Sequence, residues 1–113
     1  MEHDSRALVE AVKSLNAKLF SLPRLQLLSE LNLLGDEYAL YRDLKASLML
    51  DDGVLIFNLR ALVGMGYVAK REVTLGGKKM DAYKITADGA QAFEKIRRWL
   101  AAFANRGGVV LDD

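Results

Sequence analysis

The side chains best suited to chemistry in this chain are basic, and they crowd around one pair of glycines. Lys70 and Arg71 precede Gly76-Gly77, and Lys78 and Lys79 follow it. Residues 67–98 hold eight basic residues (Lys70, Arg71, Lys78, Lys79, Lys84, Lys95, Arg97, Arg98) against four acidic ones (Glu72, Asp81, Asp88, Glu94), although the whole chain has a net charge of only +1. A local surplus of this kind is the electrostatic footprint expected of a surface that meets a polyanion. The stretch just before it offers Asn58 and Arg60, whose side chains can hydrogen-bond base edges, and Arg42 lies further upstream. Interleaved with them are Val54, Ile56 and Phe57, a set of apolar side chains that would suit a protein partner better than a base edge.

Catalytic chemistry has little to work with. Cysteine is absent and the one histidine, His3, lies near the amino terminus, so thiol nucleophiles, thiolate metal sites and a histidine relay lack their residues. Gly64-Met65-Gly66 closes a helix rather than opening one after a strand, and Gly76-Gly77-Lys78 lacks phosphate-loop spacing. Asp36-Glu37 and Asp51-Asp52 fall at helix ends, where carboxylates cap and solvate. The expectation is a protein that binds rather than catalyses, with no cofactor, metal or catalytic residue assigned.

The elements that would position the basic residues follow from periodicity. Asp51 and Asp52 suit a helix start, and Leu55, Leu59 and Leu62 recur at helical spacing until Gly64 and Gly66 stop them. Advancing about 100° per residue from Leu55 puts Gly53, Ile56, Phe57, Arg60 and Gly64 outward, with Asn58 at the edge. The period then changes to that of two strands around the glycine pair, a hairpin signal. Upstream, Leu8, Val12, Leu15 and Leu19 predict a first helix over 5–20, Pro23 sits in the first turn of a second with Leu25, Leu28, Leu31 and Leu34 inward, and Gly35-Asp36 end it. Tyr38-Ala39-Leu40 reads as a short strand and 41–48 as a short helix with Leu40, Leu44 and Leu48 at its buried edge. Thr86-Ala87-Asp88 opens a last helix over 87–105. Residues 108–113 carry no clear signal.

A helix delivered straight into a basic hairpin is the back half of a winged helix-turn-helix. Asp52-Gly53, Leu59, Leu62, Gly66-Tyr67-Val68, Tyr83-Lys84-Ile85-Thr86 and Gly89 together resemble the winged-helix DNA-binding domains of the MarR and ArsR type, small stand-alone regulators, over about residues 22–100. The expected fold class is mainly α with a small antiparallel β hairpin: one domain over 1–113, with a winged core at 22–86 and additional helices at both ends. The resemblance implies a DNA-binding transcriptional regulator, and a homodimer built from the terminal helices. Leu8, Val12, Phe93, Ile96, Leu100 and Phe103 would form the seam, the alternative being that the two helices pack on each other within one chain. Phosphate contacts would fall to Lys78, Lys79, Lys70, Arg71 and Arg42, base contacts to Arg60 and Asn58. The competing reading is a winged helix repurposed for protein interaction through Val54, Ile56 and Phe57. An effector site between the terminal helices and the winged core stays open. No apolar run approaches the roughly 20 residues of a membrane span, which favours a cytoplasmic location without membrane contact.

Overall fold

The N-terminal segment departs from the single helix that its leucine stripe predicts. The computed structural model describes the backbone of residues 2–106 and the side chains from Ser5 onward; within it α1 covers Glu2–Val12 only. Ser14 Oγ then donates to Ala11 C=O, and Asn16 Oδ1 accepts from Lys18 N–H to cap a 3-10 turn, Ala17–Leu19. Such short polar side chains bond their own backbone and so compete with helix continuation. Leu19 is still fully buried, but it reaches the core from the turn.

Helix α2, Leu22–Leu34, begins at Ser21, whose hydroxyl accepts from Arg24 N–H, and has Pro23 in its first turn. It ends at Gly35 with φ of 62°, a left-handed position that glycine takes without strain. Leu27, Leu28 and Leu31 are fully buried, with Leu25 and Leu34 at the margin. The buried face is wider than one stripe because α2 packs against α3 (Tyr41–Leu48), α4 (Asp52–Gly64), β3 (Lys78–Ile85) and α5 (Ala87–Ala104). The short strand β1, Ala39–Leu40, enters directly into α3, of which Leu44 is the core residue. Asp51 Oδ1 accepts from Val54 N–H to cap α4, whose Leu55, Leu59 and Leu62 are completely buried.

Strand β2, Val68–Leu75, and β3 pair antiparallel, and β1 joins the free side of β3, giving the order β1-β3-β2. Gly76 and Gly77 form the two-residue loop with φ of 56° and 79°; two consecutive positive φ values are what a tight hairpin of right-handed twist demands. Val68, Tyr83 and Ile85 point from the sheet into the core beside Ala39. Thr86 Oγ1 caps α5 by accepting from Gly89 N–H. The architecture is a winged helix, mainly helical, with a three-stranded sheet as its wing.

Helix α5 corrects the expected dimer seam. Phe93 and Ile96 belong to the protomer's own core, because α5 packs on α2 as well as on α1. The terminal helices also meet within one chain: Trp99 Nε1 donates to Leu8 C=O at 3.0 Å, while the indole stacks on Phe103 at 5.2 Å and meets Phe20 edge-on at 6.0 Å. Val9, Val12, Leu100 and Phe103 remain exposed beside that cluster. The radius of gyration, 16.4 Å, exceeds the about 13 Å of a compact chain of this length. The tail at 107–113 lies outside the described residues.

Candidate nucleic-acid interface

The paired carboxylates at the start of α4 would repel phosphates if they stood free. Neither does. Asp51 is consumed as the cap, and Asp52 accepts from the Tyr41 hydroxyl at 2.8 Å and from Lys45 Nζ at 3.0 Å, two donors presented by α3. The Tyr41 hydrogen bond, and then the one from Lys45, hold the Asp52 carboxyl below its ordinary range. Burial, and next the bond to Asp52, push the Tyr41 phenol up to about 12. The same contacts fix α3 against the first turn of α4, which is the angle a helix-turn-helix has to set. Between the two helices Met49 takes a left-handed φ of 54°, unusual for a side chain other than glycine.

Along α4 the outward face differs from the helical-wheel expectation at Asn58. That side chain is turned inward, 7% exposed, and both ends of its amide are occupied: Oδ1 accepts from Arg24 Nε and Nδ2 donates to Val54 C=O, each at 2.8 Å. An amide buried and held inward in this way is turned away from the outward face, so the structure does not place Asn58 where a base edge would meet it. Val54 and Ile56 are half-buried rather than displayed, which leaves Phe57, 66% exposed, as the one large apolar group on that face. Its ring lies 5.9 Å from the Arg24 guanidinium carbon. Arg60 is exposed, as expected, and close enough to Tyr83 for its charge to oppose the upward shift that burial and Asp81 impose on that phenol. It therefore stands between α4 and the wing.

The strand register sorts the wing charges onto two faces. Lys70 pairs with Tyr83, Glu72 with Asp81 and Thr74 with Lys79, so the helix-facing side is balanced, and Lys70 lies 3.6 Å from Asp81. On the other face Arg71 pairs with Ala82, Lys84 with Ala69 and Lys78 with Leu75, without an acidic strand residue among them. There the Tyr38 ring has the Arg71 guanidinium carbon at 4.1 Å and Lys84 Nζ at 5.6 Å, a cluster that segment-by-segment reading does not reveal because Tyr38 lies more than thirty residues from either cation. Lys84 also lies 3.9 Å from Asp36. Lys78 and Lys79 are exposed at the glycine loop, and no ion pair among the described residues engages either. Arg42 on α3 is exposed, 3.8 Å from Asp43, a separation at which a surface pair contributes little.

Sequence reasoning missed Arg24, Tyr41 and Lys45, which act on α4 from other helices. The one accessible signal was chemical: an asparagine beside Leu59 on a buried face needs partners.

The comparisons with known proteins agree on this architecture. No curated protein matches the chain significantly. Among solved structures, the haem sensor protein PefR from Streptococcus agalactiae in complex with haem superposes with a TM-score of 0.68 at 16% identity, covering 96% of this chain and 75% of that one. The haem-free PefR gives 0.64 at 16% identity, covering 96% and 80%. The protein smu.1704 from Streptococcus mutans UA159 gives 0.63 at 15% identity, covering 81% and 95%. At such identities the likeness is one of fold. A family model described as a winged helix DNA-binding domain matches residues 24–104, which takes in α2, both helices of the helix-turn-helix, the whole wing and α5, so the chain belongs to the winged helix DNA-binding domain family.

Proposed function

We propose that this protein is a dimeric transcriptional regulator of the MarR or ArsR type, acting in the cytoplasm by binding duplex DNA. The observation that carries the reading is the state of the charges. At the head of α4, Asp51 caps the helix and Asp52 accepts from Tyr41 and is paired with Lys45, whereas Lys78 and Lys79 project from the wing tip with no ion pair among the described residues. Helix α4 enters the major groove with Arg60 on base edges, and Lys78, Lys79, Lys70, Arg71 and Arg42 contact phosphates. The dimer forms through Val12, Leu100 and Phe103, the part of the terminal-helix stripe that the protomer leaves exposed, with half-buried Leu8 at its margin. The protein acts by binding, without catalysis. The haem of the streptococcal neighbour forms no part of this proposal.

A second reading has one observation in its favour: Phe57, 66% exposed in the middle of the recognition helix, with half-buried Val54 and Ile56 beside it, suits a protein surface better than a groove of base edges. In that case the winged helix is an interaction module that no longer reads sequence. Titrating the protein with mixed duplex fragments at two salt concentrations separates the two. The regulator binds with an affinity that falls steeply with salt, because each neutralised phosphate contributes about −0.9 to the slope of log K on log salt. Absence of salt-dependent binding at low ionic strength leaves the interaction module standing. Sedimentation at micromolar concentration should report about twice 12.5 kDa, and a monomer throughout that range removes the dimer.

A further inference from the structure

The segment that leads from α1 into α2 is bonded to the residues just after the recognition helix and, through Arg24 of α2, to the helix itself. At the far end of α4, Asn16 Nδ2 donates to the Tyr67 hydroxyl at 3.3 Å and lies 3.9 Å from Met65 Sδ. Asn16 also caps the 3-10 turn through Lys18 N–H. From that turn the Lys18 C=O accepts from Arg24 Nη1 at 2.8 Å, Arg24 Nε donates to Asn58 Oδ1 at 2.8 Å, and Asn58 Nδ2 donates to the Val54 C=O at 2.8 Å. The chain of bonds thus runs from the turn after α1 into the middle of α4.

We infer that Arg24 is a positioning residue for DNA recognition, one that fixes the rotation of α4 about its own axis; the inference rests on the regulator reading. A guanidinium is a rigid plane, so two bonds made from Nε and Nη1 in different directions fix its orientation as well as its place. Asn58 is buried and cannot exchange this partner for water, which makes the contact costly to break. Arg60 lies two residues further along the same helix. At a side-chain radius of about 5–6 Å, a rotation of about 10° moves the outer part of its side chain by about 1 Å, enough to spoil a two-bond contact with a guanine while leaving a lysine on a phosphate almost undisturbed. Arg24 thereby governs sequence discrimination rather than overall affinity. Whatever shifts the turn at Ala17–Leu19 reaches the recognition helix through the same bonds.

The test uses Arg24→Ala and Arg24→Lys in the full chain, each compared with wild type on a duplex selected by the wild-type protein from a random pool and on a scrambled duplex of the same composition. For Arg24→Ala the ratio of the two affinities should fall about tenfold, with binding to the scrambled duplex and its salt slope unchanged. Arg24→Lys, which offers a donor but no fork, should recover only part. Amide exchange of the free protein should accelerate within Val54–Ala61 while the wing and α5 keep their protection. An intact ratio overturns the inference, as does a salt slope flatter by about 0.9, which would make Arg24 a phosphate contact. If Arg24→Ala does not fold, Arg24→Lys decides by the same two criteria. If the wild-type protein does not bind DNA, the regulator reading fails by itself. Exchange still tests the clamp: acceleration confined to α4 supports it, and uniform or absent acceleration overturns it.

Discussion

Helix α4 and the hairpin that follows it treat their polar side chains in opposite ways. In α4, Asp51 caps the helix, Asp52 is held by Tyr41 and Lys45, and Asn58 is held between Arg24 and Val54 C=O, so that Arg60 is the polar side chain left facing outward in the body of the helix. In the wing, Lys70 leans toward Asp81 across a long and exposed gap, and Lys78 and Lys79 are in solvent. Internal bonds give the helix a fixed attitude at the expense of surface to read with. The hairpin keeps its charge available and is specified chiefly by its glycine loop and register. Under the proposed DNA-binding function, affinity comes from the wing and geometry from the helix, and the two contributions should respond to different substitutions.

The largest effect is expected where the two regions are joined. Gly89, in the first turn of α5, lies against the link between α4 and β2. A Cβ built there would stand 2.1 Å from the Tyr67 carbonyl oxygen and 2.9 Å from Ile85 Cγ1. The carbonyl cannot easily retreat, because it accepts from Thr86 N–H at 3.0 Å, and Thr86 Oγ1 in turn donates to Gly66 C=O at 2.7 Å. Gly89→Ala should therefore destabilise by about 3 kcal/mol, the upper end for overpacking. A urea midpoint that drops at constant slope would register it, and a midpoint within error of wild type would mean that helix and wing are not locked at this junction.

Next in size are the substitutions that separate charge from reading. Lys78→Ala combined with Lys79→Ala should flatten the salt slope by up to about two units per protomer, with affinity falling alike on every sequence. Arg60→Ala should cost about 1–3 kcal/mol on a preferred site and little on random DNA, because its contribution comes from a base edge. Equal behaviour of the two variants on both kinds of DNA would erase the division between helix and wing.

How far this division could be read from the sequence depends on the range of the contacts involved. Helix α4, the glycine hairpin and the Thr86 cap rest on signals within a few residues, and the expected elements match the observed ones there. The first helix fails at Ser14 and Asn16 because its leucine spacing continues through a segment whose polar side chains prefer to bond the local backbone. Phe93 and Ile96 were legible as apolar but not as core, since a stripe does not say whether α2 or a second protomer will cover it. Asn58 was placed by its angle on a wheel. Its true environment depends on Arg24, thirty-four positions away, and no local pattern carries that pairing.

A smaller effect should appear in the pH dependence of stability. The Asp52 carboxyl is held below its ordinary value by the Tyr41 hydroxyl first and by Lys45 second. A carboxyl depressed in the folded state binds fewer protons there than in the unfolded chain, so its stabilisation is present above about pH 3.9 and is lost as pH falls through the lowered value. Tyr41→Phe removes the first cause. Its stability deficit relative to wild type should hold from neutral pH down to about pH 4 and close below that. A deficit unchanged into acid would place the contribution of this bond outside the ionisation of Asp52. The phenol works in the opposite sense. With its own value raised to about 12, it contributes stability that is complete below about pH 10 and is lost above it, so the alkaline decline of wild type between those values should be reduced in the same variant.

The smallest change in stability belongs to the side chain with the most ambiguous place in the comparison. Phe57 is 66% exposed, so truncation removes little buried area, and the Arg24 guanidinium carbon at 5.9 Å adds a weak cation-ring attraction. Together these amount to less than about 1 kcal/mol, and the thermal midpoint of Phe57→Ala should stay near that of wild type. With folding preserved, what changes on DNA is informative. An apolar ring in the major groove can meet the thymine methyl, so a recognition role predicts weaker binding on a preferred site that contains thymine at the contacted step, at an unaltered salt slope. A role in protein contact predicts unchanged DNA binding on every sequence, together with weakened capture of the protein partner. The first outcome would return the outward face of α4 to the groove and make apolar contact part of its reading. The second would assign the helix two faces, with Arg60 turned toward DNA beside the wing and Phe57 turned toward another protein.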